Sequence, residues 1–121
     1  RYQLLFGLSL CAGSVNLPVS KPILTGNAAM HFYIRCVDKP GHLAVRKANR
    51  DAHIAYIKDG FADRIVAAGP TLDPDLEGMN GSVFIIEFDT QAEAEEFAAN
   101  DPYGKAGLFE SVIIRPFKKV F

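Results

Sequence analysis

From Met30 to the last residue, short apolar segments alternate with longer amphipathic ones, a pattern that predicts four strands and two helices. Gly60 ends the first helix, and a Thr90-x-x-Glu93 capping box opens the second. The predicted strands are 31–37, 64–70, 82–88 and 108–117, the predicted helices are 43–58 and 91–99, and a polar loop covers 71–81. The order β-α-β, β-α-β predicts an α+β fold, the ferredoxin-like βαββαβ plait, with a four-stranded antiparallel sheet and both helices on one face.

The predicted strands are largely apolar on both of their faces. In the third strand one parity carries Val83, Ile85 and Glu87, and the other carries Phe84, Ile86 and Phe88. Helices cover only one face of a plait, so the other face of a monomer should be polar. An apolar sheet face in water would exceed the patch that monomers usually expose. We therefore expect a homodimer in which two sheets pack face to face.

The first predicted helix carries cations on its apolar side. At about 100° per residue, Arg50 falls within the apolar stripe, and Arg46 and His53 lie at its edge. The stripe consists of Leu43, Ile54, Ile57 and Phe61. An unpaired buried cation is strongly unfavourable, so each of these groups needs a carboxylate, an exposed end or a ligand. The helix is therefore predicted to close over a polar pocket.

Composition and charge narrow the classes of partner. Of 121 residues, 49% are hydrophobic and 22% are charged, which is typical of one globular domain. A formal net charge of −1 gives no electrostatic basis for binding nucleic acid or a membrane surface. Cys11 and Cys36 form no disulfide framework, which fits a reducing compartment, so we expect a cytoplasmic location. His31, His42 and His53 lack zinc spacing, and phosphate-binding motifs are absent, so neither a metal nor a cofactor is expected.

Residues 1–29 differ in texture from the rest of the chain, with one apolar run followed by Pro, Ser, Gly and Asn. The apolar run, 4–15, is too short to span a bilayer, but its length resembles the apolar part of a signal peptide. Two interpretations stay open: an export signal, or an extension outside the fold that is translated upstream of a natural start at Met30. The extension is preferred, because only Arg1 precedes the apolar run.

Two single residues have ordinary structural explanations. Asp101 followed by Pro102 is typical of a helix start, with the aspartate as N-cap and the proline at the first helical position. A lone histidine at the edge of an apolar stripe, such as His53, is more often hydrogen-bonded for structure than catalytic. The spacing of these residues alone therefore leaves a purely structural role open.

Several fragments, taken in order, resemble the YciI family, whose module is the YCII-related domain. They are R-x-x-H at 50–53, AAGP at 67–70, GS at 81–82, DPY at 101–103 and PFKKVF at 116–121. The resemblance covers 30–121 and implies that this part is a YciI-like domain, with 1–29 outside it. It also implies the plait assembled as a dimeric α+β barrel, related in shape to muconolactone isomerases.

The resemblance further implies a histidine–aspartate pair in a small pocket, which falls on His53 and Asp101. A carboxylate bonded to one imidazole nitrogen fixes the tautomer and raises the basicity of the other nitrogen. Because the unperturbed pKa of histidine is roughly 6.5, the ring exchanges protons near neutral pH. We expect a cofactor-independent lyase or isomerase that acts on a small anionic substrate, cyclic ones included.

The remaining candidate residues are expected to bind that substrate. Arg50, one helical turn before the histidine, has two open roles: it holds a substrate carboxylate or developing oxyanion, or it pairs with Asp101. The backbone at Gly69 and Pro70 and the hydroxyl of Ser82 are expected to line the pocket. Two rival hypotheses stay open, a non-catalytic ligand-binding or sensory dimeric module and a structural network without a cavity.

Overall fold

A computed structural model describes residues 30–121, and the expected extension at 1–29 lies outside the described residues. The elements are β1 (Met30–Asp38), α1 (Leu43–Lys58), a 3₁₀ turn (Ala62–Arg64), β2 (Ile65–Leu72), β3 (Met79–Phe88), α2 (Gln91–Asn100), α3 (Pro102–Lys105) and β4 (Phe109–Phe117). None of the helices in this range is long and apolar enough to cross a bilayer.

The four strands form one antiparallel sheet in the order β2-β3-β1-β4. β1 lies inside the sheet between β3 and β4, so the two β-α-β halves of the chain interlock. At the centre, Ile34 pairs with Phe84 on one side and with Ile114 on the other. This confirms the α+β class and the ferredoxin-like βαββαβ plait.

The second and third strands are longer than predicted. A polar loop was predicted over 71–81, but β2 continues to Leu72 and β3 already begins at Met79. The Thr71 hydroxyl donates to the Asn80 side-chain oxygen across this hairpin at 2.6 Å. Polar residues at the solvent-facing end of a hairpin can link the two strands directly, so local polarity indicated a loop where the ladder continues.

The core between the helices and the sheet is built around one aromatic ring of α2. Phe97 is 2% exposed, and its ring centroid lies 4.8 Å from that of Phe61, 5.3 Å from Phe84 and 5.5 Å from Phe88. The Tyr56 hydroxyl donates to the Phe97 backbone oxygen at 3.0 Å. Aromatic pairs at such separations add stability beyond their buried area. The cluster therefore fixes the C-terminal half of α1 against α2 and the sheet.

The opposite sheet face combines apolar and charged residues. Arg35 lies between Val83 and Ile113, and Tyr33 pairs with Ile85. The buried core residues of β1 and β3 all occupy the other parity of these strands. The face is thus less uniformly apolar than the sequence pattern indicated, because a charged residue interrupts its centre. Face-to-face dimerisation stays a prediction.

We expect Phe97→Ala to lower the free energy of unfolding by about 3–5 kcal/mol, because it opens a cavity among four aromatic neighbours. Urea denaturation followed by circular dichroism measures this. The matched control is Phe121→Ala, since that side chain is fully exposed and its removal should change stability by less than about 0.5 kcal/mol. Equal free energies of unfolding for the two variants would show that the aromatic cluster does not stabilise the core.

Candidate active site

A cleft of about 340 Å³ opens between α1 and the strands β2 and β3. This volume lies at the small end of the range of roughly 300–1,000 Å³ that is usual for ligand sites. Five of the six residues predicted for the site line it: Arg50, His53, Gly69, Pro70 and Ser82. A wider and more open cleft lies between α2 and β4, but its lining holds no histidine, so it offers no proton-transfer group of this kind.

The sixth predicted residue, Asp101, lies behind His53. The Nδ1 atom of His53 is 2.8 Å from Oδ1 and 3.1 Å from Oδ2 of Asp101. An ionised carboxylate only accepts hydrogen bonds, so Nδ1 donates, and the Nε2 atom of the neutral ring carries the lone pair. Asp101 is 1% exposed, whereas the side chain of His53 keeps 15% of its surface accessible. The structure therefore brings the pair together, with the histidine between the carboxylate and the cleft.

The same carboxylate also starts a helix. The backbone N–H of Tyr103 donates to Oδ1 of Asp101 at 2.9 Å, and Pro102 occupies the first turn of α3. The predicted N-cap is thus confirmed. Capping and contact with the histidine are not alternatives here, because one buried carboxylate performs both.

Tyr103 joins the site through its ring, a role that the sequence pattern did not indicate. The ring stacks on the imidazole of His53, with centroids 4.1 Å apart and an angle of 15° between the planes. The guanidinium carbon of Arg46 lies 4.6 Å from the same ring centre. Burial raises the pKa of Tyr103, and the positive charge of Arg46 opposes only part of that effect, so the phenol is neutral at neutral pH. DPY is visible as a fragment in the sequence, but stacking across elements has no local signal.

The buried arginine of α1 is Arg46, not Arg50. The helical projection placed Arg50 within the apolar stripe, yet Arg46 is only 2% exposed and Arg50 is exposed. Nε and Nη2 of Arg46 donate to the two carboxylate oxygens of Asp38 at 2.7 and 2.9 Å. Burial opposes the charge of Arg46, but the hydrogen bonds and attraction of Asp38 outweigh it and raise the guanidinium pKa. This fork-like pairing offsets the desolvation of both groups.

The position of Asp38 was readable in the strand pattern. The buried parity of β1 runs through Phe32, Ile34 and Cys36, and the next residue in that period is Asp38. A carboxylate that continues a buried row needs a cation on the element packed over it. Arg46, eight residues further along the chain, is that cation.

Ser82 is held at the inner wall of the cleft. It is 3% exposed, and its Oγ accepts a hydrogen bond from Nη2 of Arg46 at 2.9 Å. The preceding Gly81 is required for close packing, because a Cβ there would overlap the backbone oxygen of Cys36 and the hydroxyl of Thr71. The GS fragment therefore lets β3 pass close to its neighbouring strands and sets the serine beside the arginine.

Arg50 and the edge strand form the outer wall of the cleft. Among residues 30–121, the ion-pair partner of Asp101 is His53 and not Arg50, so one of the two roles left open for this arginine is not seen. Gly69 and Pro70 belong to the edge strand β2, where Pro70 pairs with Ser82 of β3. Since Arg46 is neutralised internally, the positive charge offered to a ligand comes from Arg50, with Lys58 also in the lining.

Comparison with known proteins identifies the family. The model of the YCII-related domain matches residues 30–118. The chain is 39% identical over 98 residues to an uncharacterised protein of Haemophilus influenzae and 38% identical over 98 residues to protein YciI of Escherichia coli, covering 76% of this chain and 100% of each relative.

Among solved structures, the chain is similar to 5-chloro-2-hydroxyhydroquinone dehydrochlorinase (TftG) from Burkholderia phenoliruptrix AC1100, in complex with 2,5-dihydroxybenzoquinone. The TM-score is 0.69 at 40% identity, over 74% of this chain and 94% of that one. A similar protein is thus an enzyme for a small molecule. The protein described here belongs to the YCII-related domain family.

Proposed function

We propose that this protein is a cofactor-independent lyase or isomerase for a small anionic substrate, with His53 as the general acid and base and Asp101 as the residue that orients it. The observation that carries the proposal is the 2.8 Å contact between Nδ1 of His53 and the buried Asp101 carboxylate, beside a cleft that His53 lines. With its Nδ1–H engaged, the neutral ring offers the Nε2 lone pair to a substrate proton.

The charges around the cleft support an anionic substrate. No Asp or Glu of the described residues lines the cleft. The two carboxylates behind it, those of Asp101 and Asp38, form ion pairs with His53 and Arg46. Arg50 and Lys58 are exposed cations in that lining. In the proposal, Arg50 holds a carboxylate or an oxyanion that develops as the proton leaves.

The dehydrochlorinase to which the chain is similar supports the reaction class. Removal of hydrogen chloride requires a base for the proton, while chloride departs with its bonding electrons. His53 supplies such a base in the proposed mechanism, and the same group returns the proton in an isomerisation. The ligand bound in that complex, 2,5-dihydroxybenzoquinone, is a small cyclic compound that can lose protons, which makes it a reasonable probe for this chain.

The proposed unit is a homodimer of residues 30–121 packed sheet to sheet, with 1–29 as an extension outside it and a cytoplasmic location. The helix-free face carries three partly buried aliphatic residues around Arg35, namely Val83, Ile85 and Ile113. A second copy would remove these apolar groups from water, and a stable dimer buries about 1,200–2,000 Å² in total.

We expect His53→Asn to lower kcat by roughly 10²–10⁴-fold, because it removes the proton-transfer group. Asp101→Asn should also lower kcat while keeping an oxygen for the helix cap. The rate of chloride release from 5-chloro-2-hydroxyhydroquinone measures kcat of both variants. The matched control is His42→Asn, because the His42 ring lies outside the cleft and is hydrogen-bonded to the Pro40 backbone oxygen. Turnover of His53→Asn at the wild-type rate would contradict the proposal. Ligand binding without turnover by the wild-type protein would favour the non-catalytic module.

We expect Ile113→Lys to weaken self-association by about 100-fold or more, because Ile113 pairs with Arg35 and the dimer would bury two positive charges side by side on the sheet face. Sedimentation velocity over a concentration series measures the dissociation constant. The control is Ala55→Lys, on the exposed side of α1, which should leave association unchanged. Identical behaviour of the two variants would place the interface elsewhere.

A further inference from the structure

We propose that Ser82 is a ligand-binding hydrogen-bond donor, and that Arg46 is the positioning residue that fixes this polarity. The proposal rests on the proposed function only in taking the cleft beside His53 as the ligand site. It specifies the chemistry of the ligand: an acceptor oxygen, either carbonyl or anionic, must lie against Ser82.

The contact between the arginine and the serine has only one possible direction. A guanidinium has N–H donors, has no acceptor and stays protonated in proteins. A serine hydroxyl has one hydrogen and two lone pairs, so in the 2.9 Å contact Oγ of Ser82 must accept from Nη2 of Arg46. The hydroxyl hydrogen takes no part in this bond.

Arg46 cannot easily turn away from this contact. Its Nε and Nη2 atoms bond both oxygens of Asp38, and its guanidinium lies over the ring of Tyr103. The side chain is 3% exposed, and that of Asp38 is 6% exposed. Because rotation of the Arg46 side chain would leave a buried charge unpaired, the guanidinium is fixed in place. One lone pair of the Ser82 hydroxyl is therefore always engaged by it.

The hydrogen of the Ser82 hydroxyl is left for a ligand. Among residues 30–121, the side-chain hydrogen bond of Ser82 is the one that it accepts from Arg46, although Ser82 is only 3% exposed and lines the cleft. Buried polar groups nearly always find a partner, and this one adjoins a site of ligand size. The inner wall therefore presents a hydroxyl hydrogen to whatever occupies the cleft.

Two groups of the cleft then have opposite requirements. Nε2 of His53 accepts a proton, whereas Ser82 donates a hydrogen bond, and Arg50 adds positive charge. A small molecule with an ionisable O–H or acidified C–H near a carbonyl or oxyanion oxygen satisfies all three. When His53 takes the proton, negative charge moves onto that oxygen, and the bond from Ser82 strengthens. An ammonium group at the same place would leave the hydroxyl hydrogen without an acceptor, and it would lie near the positive charges of Arg46 and Arg50.

Binding of 2,5-dihydroxybenzoquinone to the full chain, measured by isothermal titration calorimetry, tests this. Ser82→Ala should weaken binding about 10- to 100-fold, because it removes a hydrogen bond to a charged or polarised oxygen. The matched control is Ser111→Ala, an exposed serine of β4 outside the cleft, which should bind as the wild type does. Ser82→Ala removes a single oxygen and leaves both hydrogen bonds between Arg46 and Asp38 in place, so we expect the fold to be retained.

The positioning role of Arg46 is tested by a double-mutant cycle. Arg46→Lys alone should weaken binding, since a lysine cannot hold Asp38 and the serine together in the same geometry. In the Ser82→Ala background, the same change should weaken binding less than about twofold, because the group through which it acts is gone. Full additivity of the two changes would assign Arg46 a general structural role and overturn this part of the proposal.

The result is separable from the enzymatic proposal. Weak binding by Ser82→Ala, together with binding by His53→Asn close to that of the wild type, supports the donor role whether or not turnover occurs. Wild-type affinity of Ser82→Ala overturns the donor role even if His53 proves catalytic. Failure of the wild-type chain to bind the quinone overturns it as well.

Discussion

The arrangement of the cleft depends on one buried carboxylate. Asp101 is almost completely inaccessible, so its lone pairs must be satisfied within the protein, and two groups do this: the N–H of Tyr103 and the imidazole of His53. The first contact starts α3, and the second fixes the tautomer of a ring that is 48 residues away in sequence. Because the same helix start also supplies the tyrosine that stacks on the imidazole, the direction and the plane of the ring follow from a single capping event.

A second buried charge pair explains why cations crowd the apolar side of α1. Arg46 is committed to Asp38 at the end of a buried row of β1, and burial makes that commitment obligatory. Arg50, one turn further on, lies at the cleft instead, where a charge can stay solvated until a ligand arrives. Two arginines that look equivalent in the sequence therefore differ in role: one organises the protein interior, and the other remains available.

Much of this was predictable, and the failures have physical causes. Periodicity was sufficient to predict the plait. The order of short fragments was sufficient to indicate the family, and with it the contact between His53 and Asp101. A helical projection gives direction but not depth, so it could not tell that Arg46 is the buried arginine. Stacking of Tyr103 on His53 joins distant elements and leaves no periodic trace. The Asp38 signal was present, but it requires following the buried strand parity past the last apolar residue.

α1 shows how one helix serves both stability and chemistry. Its last turn is fixed through Tyr56, which contacts the aromatic cluster around Phe97, so the core does not depend on the polar turns before it. Those turns can then hold Arg46, Arg50 and His53 over the sheet. A purely structural network would use its polar groups to close the space between helix and sheet. Here Ser82 and His53 both line the cleft, and in the proposal a small polar ligand is the partner of the serine hydroxyl hydrogen and of the second histidine nitrogen.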